Sequence, residues 1–467
     1  MYNKKTHVHF VGIGGIGMSG IANVLRTQGY AISGCDIDLQ QQSVQDLMQN
    51  GCHVYQGNNT VHCHDNSIDI LVYTSMIQSS HPEVLAAQQR GIPTIPRALM
   101  LAELMRTKYS IAIAGAHGKT TTTSLISHIL IEAKKDPTVI IGGHLKNIST
   151  NARMGSGDFL VAEADESDRS LLKLQATLAV VTNIDYEHVE TYRDLDDVKN
   201  TFKQFLENLP FYGKAFVCVD DEHVRSLLPM PHIKMIKYGL NQNFDADIWT
   251  EDIELQADRS TFAVWRKGDL QPLGTIITPM PGRHNALNTL AAIAVALDLE
   301  IPFTTIAQAL INFKGIARRF SFNGIFNGAE LFDDYGHHPK EIMNTLNVAC
   351  RRTKGKLHVI FQPHRYHRTH KLWNDFIETF THSDIDNLII TDIYPAGERP
   401  IEHVTSKRLV EEIKIKNPKF SITYLPYESN FLQIRNNLIA TVDPNDLVLL
   451  LGAGKINQLS KYLLSEQ

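Results

Sequence analysis

The residues Gly118, Lys119 and Thr120 stand in the run Ile111-Ala-Ile-Ala-Gly-Ala-His-Gly-Lys-Thr-Thr-Thr-Thr123, whose layout is that of a phosphate cradle. A short apolar strand leads into a glycine-broken loop, and a helix opens on the threonines. Backbone N–H groups at such a helix start face an anion, a lysine adds positive charge, and the following hydroxyl can hold Mg²⁺. A nucleoside triphosphate is the first ligand to expect, held along Gly115, Ala116, His117, Gly118, Lys119, Thr120 and Thr121. The Walker pattern asks for a glycine five residues before Gly118, where this chain has Ile113; its earlier glycine is Gly115. A structural glycine turn is the plain alternative.

A second glycine loop, Gly12-Ile-Gly14-Gly15-Ile-Gly17, follows a strand and precedes a helix, with Asp36 where dinucleotide folds carry a ribose-binding acid. Alone it reads as an NAD(P) oxidoreductase, or simply as a tight turn. The physics is less specific: any nucleotide diphosphate satisfies glycines that admit a close backbone and a helix N-terminus that stabilises charge. Two phosphate loops suggest two nucleotide ligands, and a dehydrogenase has no evident need for the second.

Glu163-Ala-Asp-Glu-Ser-Asp168 and Thr182-Asn-Ile-Asp-Tyr-Glu-His188 each follow a buried strand and so face the ligand crevice of an α/β sheet. Mg²⁺ on phosphates needs one or two protein oxygens, for which Glu163 is the candidate. A solvated acidic loop is the alternative, and His188 also reads as a polar loop residue. Asn285 and Asn288 share one face of a helix start, where carboxamides can read an adenine edge and Asn285 can equally cap the helix. Phe332-Asp-Asp-Tyr-Gly-His-His-Pro339 follows another strand-like stretch. In Gln362-Pro-His-Arg-Tyr-His-Arg-Thr369 two arginines suit capture of a carboxylate or phosphate, against a plain basic surface loop. His53, His62, Cys63 and His64 lack the paired spacing of a zinc site.

The elements that must position these groups are legible as apolar runs. Strands are expected at 7–13, 68–73, 109–114, 159–162, 178–182, 357–361, 387–390 and 446–451, with helices between them. The 467 residues then divide into three α/β domains with mostly parallel sheets, at 1–107, 108–316 and 317–467. A net charge of −5 without charge blocks argues against nucleic acid. Five scattered cysteines suit a reducing cytoplasm, and neither a signal peptide nor a membrane-spanning run is expected.

These motifs together resemble the Mur ligase family, the ATP-dependent amide ligases of peptidoglycan precursor synthesis, and the resemblance runs the length of the chain. It implies a Rossmann-like UDP-binding domain, a central P-loop ATPase domain and a Rossmann-like domain for the amino acid. It implies ATP and Mg²⁺ as cofactors, UDP-N-acetylmuramate and L-alanine as the partners joined, and a cytoplasmic monomer or weak homodimer. Carried onto this sequence, Gly12, Gly14, Gly15 and Gly17 would cradle the UDP diphosphate, with Asp36 beside them. Lys119 would contact the β- and γ-phosphates, and Thr120, Glu163 and His188 would hold metal. Asn285 and Asn288 would meet adenine, while Arg319 and Asp334 would reach ATP phosphate and ribose. His364, Arg365 and Arg368 would line the amino-acid pocket, with His364 able to take the amine proton. Ala116, Arg169, Leu171 and Lys455 depart from the family pattern. A ligase that reattaches a recycled tripeptide is the near alternative, and a nucleotide-gated binding protein a more distant one.

Overall fold

The computed structural model describes residues 6–57, 67–74, 77, 80–145, 150–188, 190–419 and 421–465. Strands and helices alternate and gather into three sheets. The first holds β1 (His7–Val11), β2 (Ala31–Asp36), β3 (His53–Gln56), β4 (Ile70–Tyr73) and β5 (Thr94–Pro96), in the order β3-β2-β1-β4-β5 and parallel throughout. Strand order reverses between β1 and β4, and open parallel sheets bind ligands outside the strand ends at such a point. Gly12 leaves β1 there with φ +79°, and a Cβ on it would meet Thr74 Cγ2 at 2.9 Å.

The second sheet holds β6 (Tyr109–Ala114), β7 (Thr138–Leu145), β8 (Thr150–Arg153), β9 (Phe159–Glu163), β10 (Leu178–Val181), β11 (Lys214–Cys218), β12 (Lys234–Gly239), β13 (Ile248–Leu255), β14 (Ser260–Arg266) and β15 (Gly274–Thr278). Its order is β15-β14-β13-β12-β11-β10-β6-β9-β7-β8. β6 sits between β10 and β9, parallel to both. Its five residues from Ser110 to Ala114 are buried because helices cover both faces. The helix Lys119–Glu132 follows it. Its four threonines are poor helix formers, yet Thr120 to Leu130 are buried, so packing rather than propensity holds the helix.

The third sheet holds β16 (Ser321–Phe326), β17 (Ala329–Asp334), β18 (Leu357–Phe361), β19 (Asn387–Ile390), β20 (Ile422–Tyr424) and β21 (Leu447–Leu451), ordered β16-β17-β21-β18-β19-β20. Only the β16–β17 pair is antiparallel. The expected α/β class with mostly parallel sheets is therefore the observed one. Residues 1–253, 261–278 and 285–314 form one compact unit, and residues 254–260, 279–284 and 315–467 a second. Met100, Leu101 and Leu104 share a core with Ala162, Leu171 and Leu174, so the first two sheets' helices pack within one unit.

Candidate active site

Gly118 takes φ +81° at the start of the helix Lys119–Glu132, and Gly115 takes φ +144°. A Cβ on Gly115 would come 2.0 Å from Thr182 Oγ1, and one on Gly118 2.4 Å from Asn288 Oδ1. Glycine is thus required at both positions by space and by conformation. The loop between them is clamped from the end of β10. The His117 N–H donates to Asn183 Oδ1 at 2.8 Å, and Thr182 Oγ1 and Asn183 Nδ2 donate to the His117 carbonyl at 2.6 and 3.0 Å. Sequence reasoning missed this clamp, although both residues lie in the run already singled out.

Lys119 is folded onto its own loop. Its Nζ donates to the Gly115 and Ala116 carbonyls and lies 2.8 Å from Glu166 Oε2. Burial opposes the charge, but Glu166 and Asp165 outweigh it and raise the lysine above its ordinary value. His188, at φ +52°, places Nε2 3.4 Å from Glu166 Oε1 and 3.7 Å from Glu187 Oε2. Burial again opposes its charge, and Glu166, Glu190 and Glu187 push the imidazole up to about 9.

The ligand atoms of Glu166, Glu187 and His188 lie within 4.8 Å of one another. Glu166 and Glu187 thus stand beside His188, whose expected metal partner is Glu163. Glu163 ends β9 and accepts the Gly142 N–H at 2.7 Å, outside that cluster. Glu166 was quoted within its motif but given no role, and Glu187 was likewise passed over. Two gathered carboxylates, with the buried Thr120 next in sequence to the lysine that Glu166 holds, supply hard oxygen donors of the kind Mg²⁺ takes, so these residues fit that ion.

Asn285 and Asn288 are both buried in the helix Arg283–Asp298. Asn285 is its third residue, so the capping alternative fails. Asn288 Oδ1 accepts from Thr122 Oγ1 at 3.3 Å, which ties this helix to the one after the phosphate loop.

In the first glycine loop, the Gly14 N–H donates to Asp36 Oδ2 at 2.8 Å, and the Asp38 N–H to Asp36 Oδ1 at 3.1 Å. The acid therefore braces the glycine turn. A Cβ on Gly14 would sit 2.8 Å from Asp36 Oδ2, and one on Gly17 2.5 Å from an Arg97 guanidinium nitrogen. Arg97 in turn pairs with Asp165 at 3.3 Å. Arg169, one of the departures from the family pattern, is consumed internally by Asp197 and by a cation–π contact with Tyr192 at 4.7 Å.

In the second unit, Asp334 ends β17 and is buried. It accepts the Phe320 and Gly336 N–H groups, each at 2.7 Å, and the Thr345 hydroxyl at 3.1 Å. These bonds fix the carboxylate at the end of β17 and hold the turn that follows it. Arg319 lies 3.8 Å from Glu341 and over the Tyr335 ring. His364 stacks on Tyr394, with ring centroids 5.5 Å apart, and its Nδ1 lies 3.2 Å from an Arg368 guanidinium nitrogen. Arg365, at φ +70°, donates its N–H to the Tyr394 carbonyl at 2.8 Å.

Burial together with Arg368, Arg365 and Arg318 lowers His364 to about 3. An imidazole so depressed is neutral at pH 7 but too weak to take an ammonium proton. This favours a positioning role for His364 over the proton-accepting one expected of it. The unfolded chain binds a proton at this histidine as pH falls below its ordinary 6.5, while the folded chain resists until about 3. Stability should therefore rise with pH across that window and carry the full contribution above it. Burial lowers His337 as well, which adds with the same sign. Urea unfolding near pH 5 and near pH 7 should show His364→Gln losing less stability on acidification than the parent. Equal losses would remove His364 from the account.

Family models for the Mur ligases cover most of the chain: the family's catalytic domain over residues 7–109, its middle domain over 113–296 and its glutamate ligase domain over 318–454. The chain belongs to the Mur ligase family. Among curated Mur ligases, UDP-N-acetylmuramate–L-alanine ligase of Geotalea uraniireducens (strain Rf4) is 46% identical, over 100% of this chain and 99% of its own. The enzyme of that name from Geobacter sulfurreducens is 45% identical, over 100% and 98%. Among solved structures, UDP-N-acetylmuramate-alanine ligase of Thermotoga maritima superposes with a TM-score of 0.82 at 25% identity, covering 98% of each chain. A murein peptide ligase of Psychrobacter arcticus shares the fold, with a TM-score of 0.73 at 22% identity and 98% of each chain covered.

Proposed function

We infer that this chain is an ATP-dependent ligase that joins L-alanine to the lactyl carboxylate of UDP-N-acetylmuramate, giving UDP-N-acetylmuramoyl-L-alanine, ADP and phosphate for peptidoglycan synthesis. The observation that carries this reading is the full-length likeness, at 46% identity, to ligases of that name. The tripeptide-recycling alternative is not favoured, since the curated relatives at 46% and 45% identity over the full chain are alanine ligases by name. Its working place is the cytoplasm, where ATP is found. No helix among the described residues is long and apolar enough to cross a membrane.

A carboxylate is a poor electrophile, and amide formation from it in water is uphill. Attack of a carboxylate oxygen on the γ-phosphorus breaks the bond to the β-phosphate oxygen and yields an acyl phosphate and ADP. The neutral alanine amine then attacks the acyl carbon, loses a proton, and expels phosphate from the tetrahedral intermediate.

The first step brings two anions together, so cationic neutralisation is its main requirement. Lys119 supplies it by exchanging Glu166 and the loop carbonyls for the phosphates. Thr120, Glu163 and His188, with Glu166 and Glu187 gathered beside the histidine, would hold Mg²⁺, and the ion offsets phosphate charge when bound. Asn285 and Asn288 would meet the adenine. Gly12, Gly14, Gly15 and Gly17, braced by Asp36, would hold the UDP diphosphate.

In the second step Arg365 and Arg368 would hold the alanine carboxylate, and the amine must arrive neutral because His364 is too weak a base. Arg368→Lys replaces a planar fork by a point charge. It should raise the KM for alanine about tenfold and leave that for ATP nearly unchanged. Equal rises in both would remove Arg368 from the alanine pocket. The reaction itself is tested by phosphate release from Mg²⁺-ATP with UDP-N-acetylmuramate, comparing L-alanine, L-serine, glycine and the tripeptide, with product mass read alongside. Release that depends on alanine is the expected result; release only with tripeptide would overturn the assignment.

A further inference from the structure

His9, Cys35 and Glu83 meet inside the first sheet's domain, beneath the strand end where the Cys35 carbonyl accepts the Gly12 and Ile13 N–H groups, and each is fully buried. Their convergence follows from strand register. β1 and β2 pair in parallel with His9 opposite Ser33 and Val11 opposite Cys35. Alternate residues share a face, so His9 and Cys35 project to the same side. On that side Val11 and Cys35 pack with Val84 and Ala87 of the helix Pro82–Gln89, which carries Glu83.

The three side chains offer an imidazole nitrogen, a thiol sulfur and a carboxylate, with ligand atoms all within 4.8 Å of one another. Cys35 Sγ lies 3.2 Å from each Glu83 oxygen, and His9 Nε2 lies 3.6 Å from Glu83 Oε2. His9 Nδ1 is already engaged by Ser33 Oγ at 2.8 Å. That contact orients the ring and leaves Nε2, which has no hydrogen-bond partner among the described residues, turned to the carboxylate. A thiol has one proton to donate, yet its sulfur stands equally close to two oxygens. With ordinary zinc bond lengths, the sulfur–oxygen and nitrogen–oxygen separations correspond to angles of roughly 90° and 120° at a shared ion. Those values suit a four-coordinate site whose carboxylate binds through both oxygens. The Ser33 contact is the outer-shell partner that metal-binding histidines carry.

We propose that His9, Cys35 and the Glu83 carboxylate form a structural zinc site that ties β1, β2 and the helix Pro82–Gln89 together. Cys35 loses its thiol proton on ligation, and the ion replaces that proton in offsetting the buried carboxylate charge. Because all three ligands are sealed from solvent, the ion is taken up as the domain folds.

The test uses the full chain expressed in zinc-supplemented medium and, separately, in minimal medium with cobalt. About one zinc per chain is expected after dialysis against a chelator, by mass spectrometric metal analysis. The cobalt form should show a thiolate-to-cobalt charge-transfer band. Cys35→Ser should abolish that band, and Cys63→Ser should keep it. No thiolate band in the parent protein, or a band lost with Cys63 and kept without Cys35, would overturn the proposal. Should Cys35→Ser fail to fold, zinc X-ray absorption of the Cys63→Ser protein decides: one sulfur with nitrogen and oxygen neighbours supports the site, and a shell without sulfur refutes it.

Discussion

Lys119→Ala is expected to lower turnover by about 10³-fold while UDP-N-acetylmuramate binds almost as before. The lysine is the cation at the start of the helix Lys119–Glu132, and alanine leaves the approach of two anions unneutralised at that point. The first glycine loop belongs to a different sheet, where Gly14 is braced by Asp36. Removing the lysine also strips Glu166 of its 2.8 Å partner, so the variant's melting temperature should be checked first. His188, 3.4 Å from the same carboxylate, keeps part of the compensation. Calorimetry of a folded variant that no longer binds the UDP-sugar would contradict this division of labour, as would turnover within a few-fold of the parent.

Gly118→Ala should act almost as strongly, by geometry instead of charge. The new methyl would sit 2.4 Å from Asn288 Oδ1 at a backbone φ of +81°. Left-handed backbone costs a non-glycine residue about 1–2 kcal/mol, and the clash forces either the loop or the Asn288 carboxamide to move. Moving the carboxamide breaks its bond with Thr122, and moving the loop turns its N–H groups away from the phosphates. The expected result is a fall in kcat/KM for ATP of about 10²-fold, with UDP-sugar affinity unchanged. Parent-like ATP kinetics would show that this loop does not grip the nucleotide.

The strands that carry the site could be read to the residue where they are buried on both faces. Leu357–Phe361 and Asn387–Ile390 form as expected, since a continuous apolar run has few places to go except the middle of a parallel sheet. The two glycine loops were equally legible, because close approach and positive φ leave glycine as the residue that fits. What could not be read was which acid in a run of acids turns inward. Glu166 rather than Glu163 faces Lys119, and that choice depends on tertiary contacts such as the Tyr192 hydroxyl donating to the Glu166 carbonyl at 2.6 Å. Nor could the sequence foresee that three arginines would gather around His364 and take away its basicity. Asp36 was found by spacing, but its bracing of Gly14 needed coordinates. His62, Cys63 and His64 lie outside the described residues, and their expected lack of a zinc site is not addressed by the structure.

Arg97 touches both halves of the nucleotide problem. One guanidinium nitrogen occupies the space a side chain at Gly17 would take, and another pairs with Asp165, next to the acid that holds Lys119. A diphosphate held at the glycine loop would compete with Asp165 for that guanidinium. Asp165 would then be less well paired, and its pull on Lys119 would change with it. Any coupling carried along this short line of charges would be symmetrical in equilibrium binding. Whatever factor one ligand imposed on the other's affinity, the second would impose on the first, with Arg97 as the side chain standing between them.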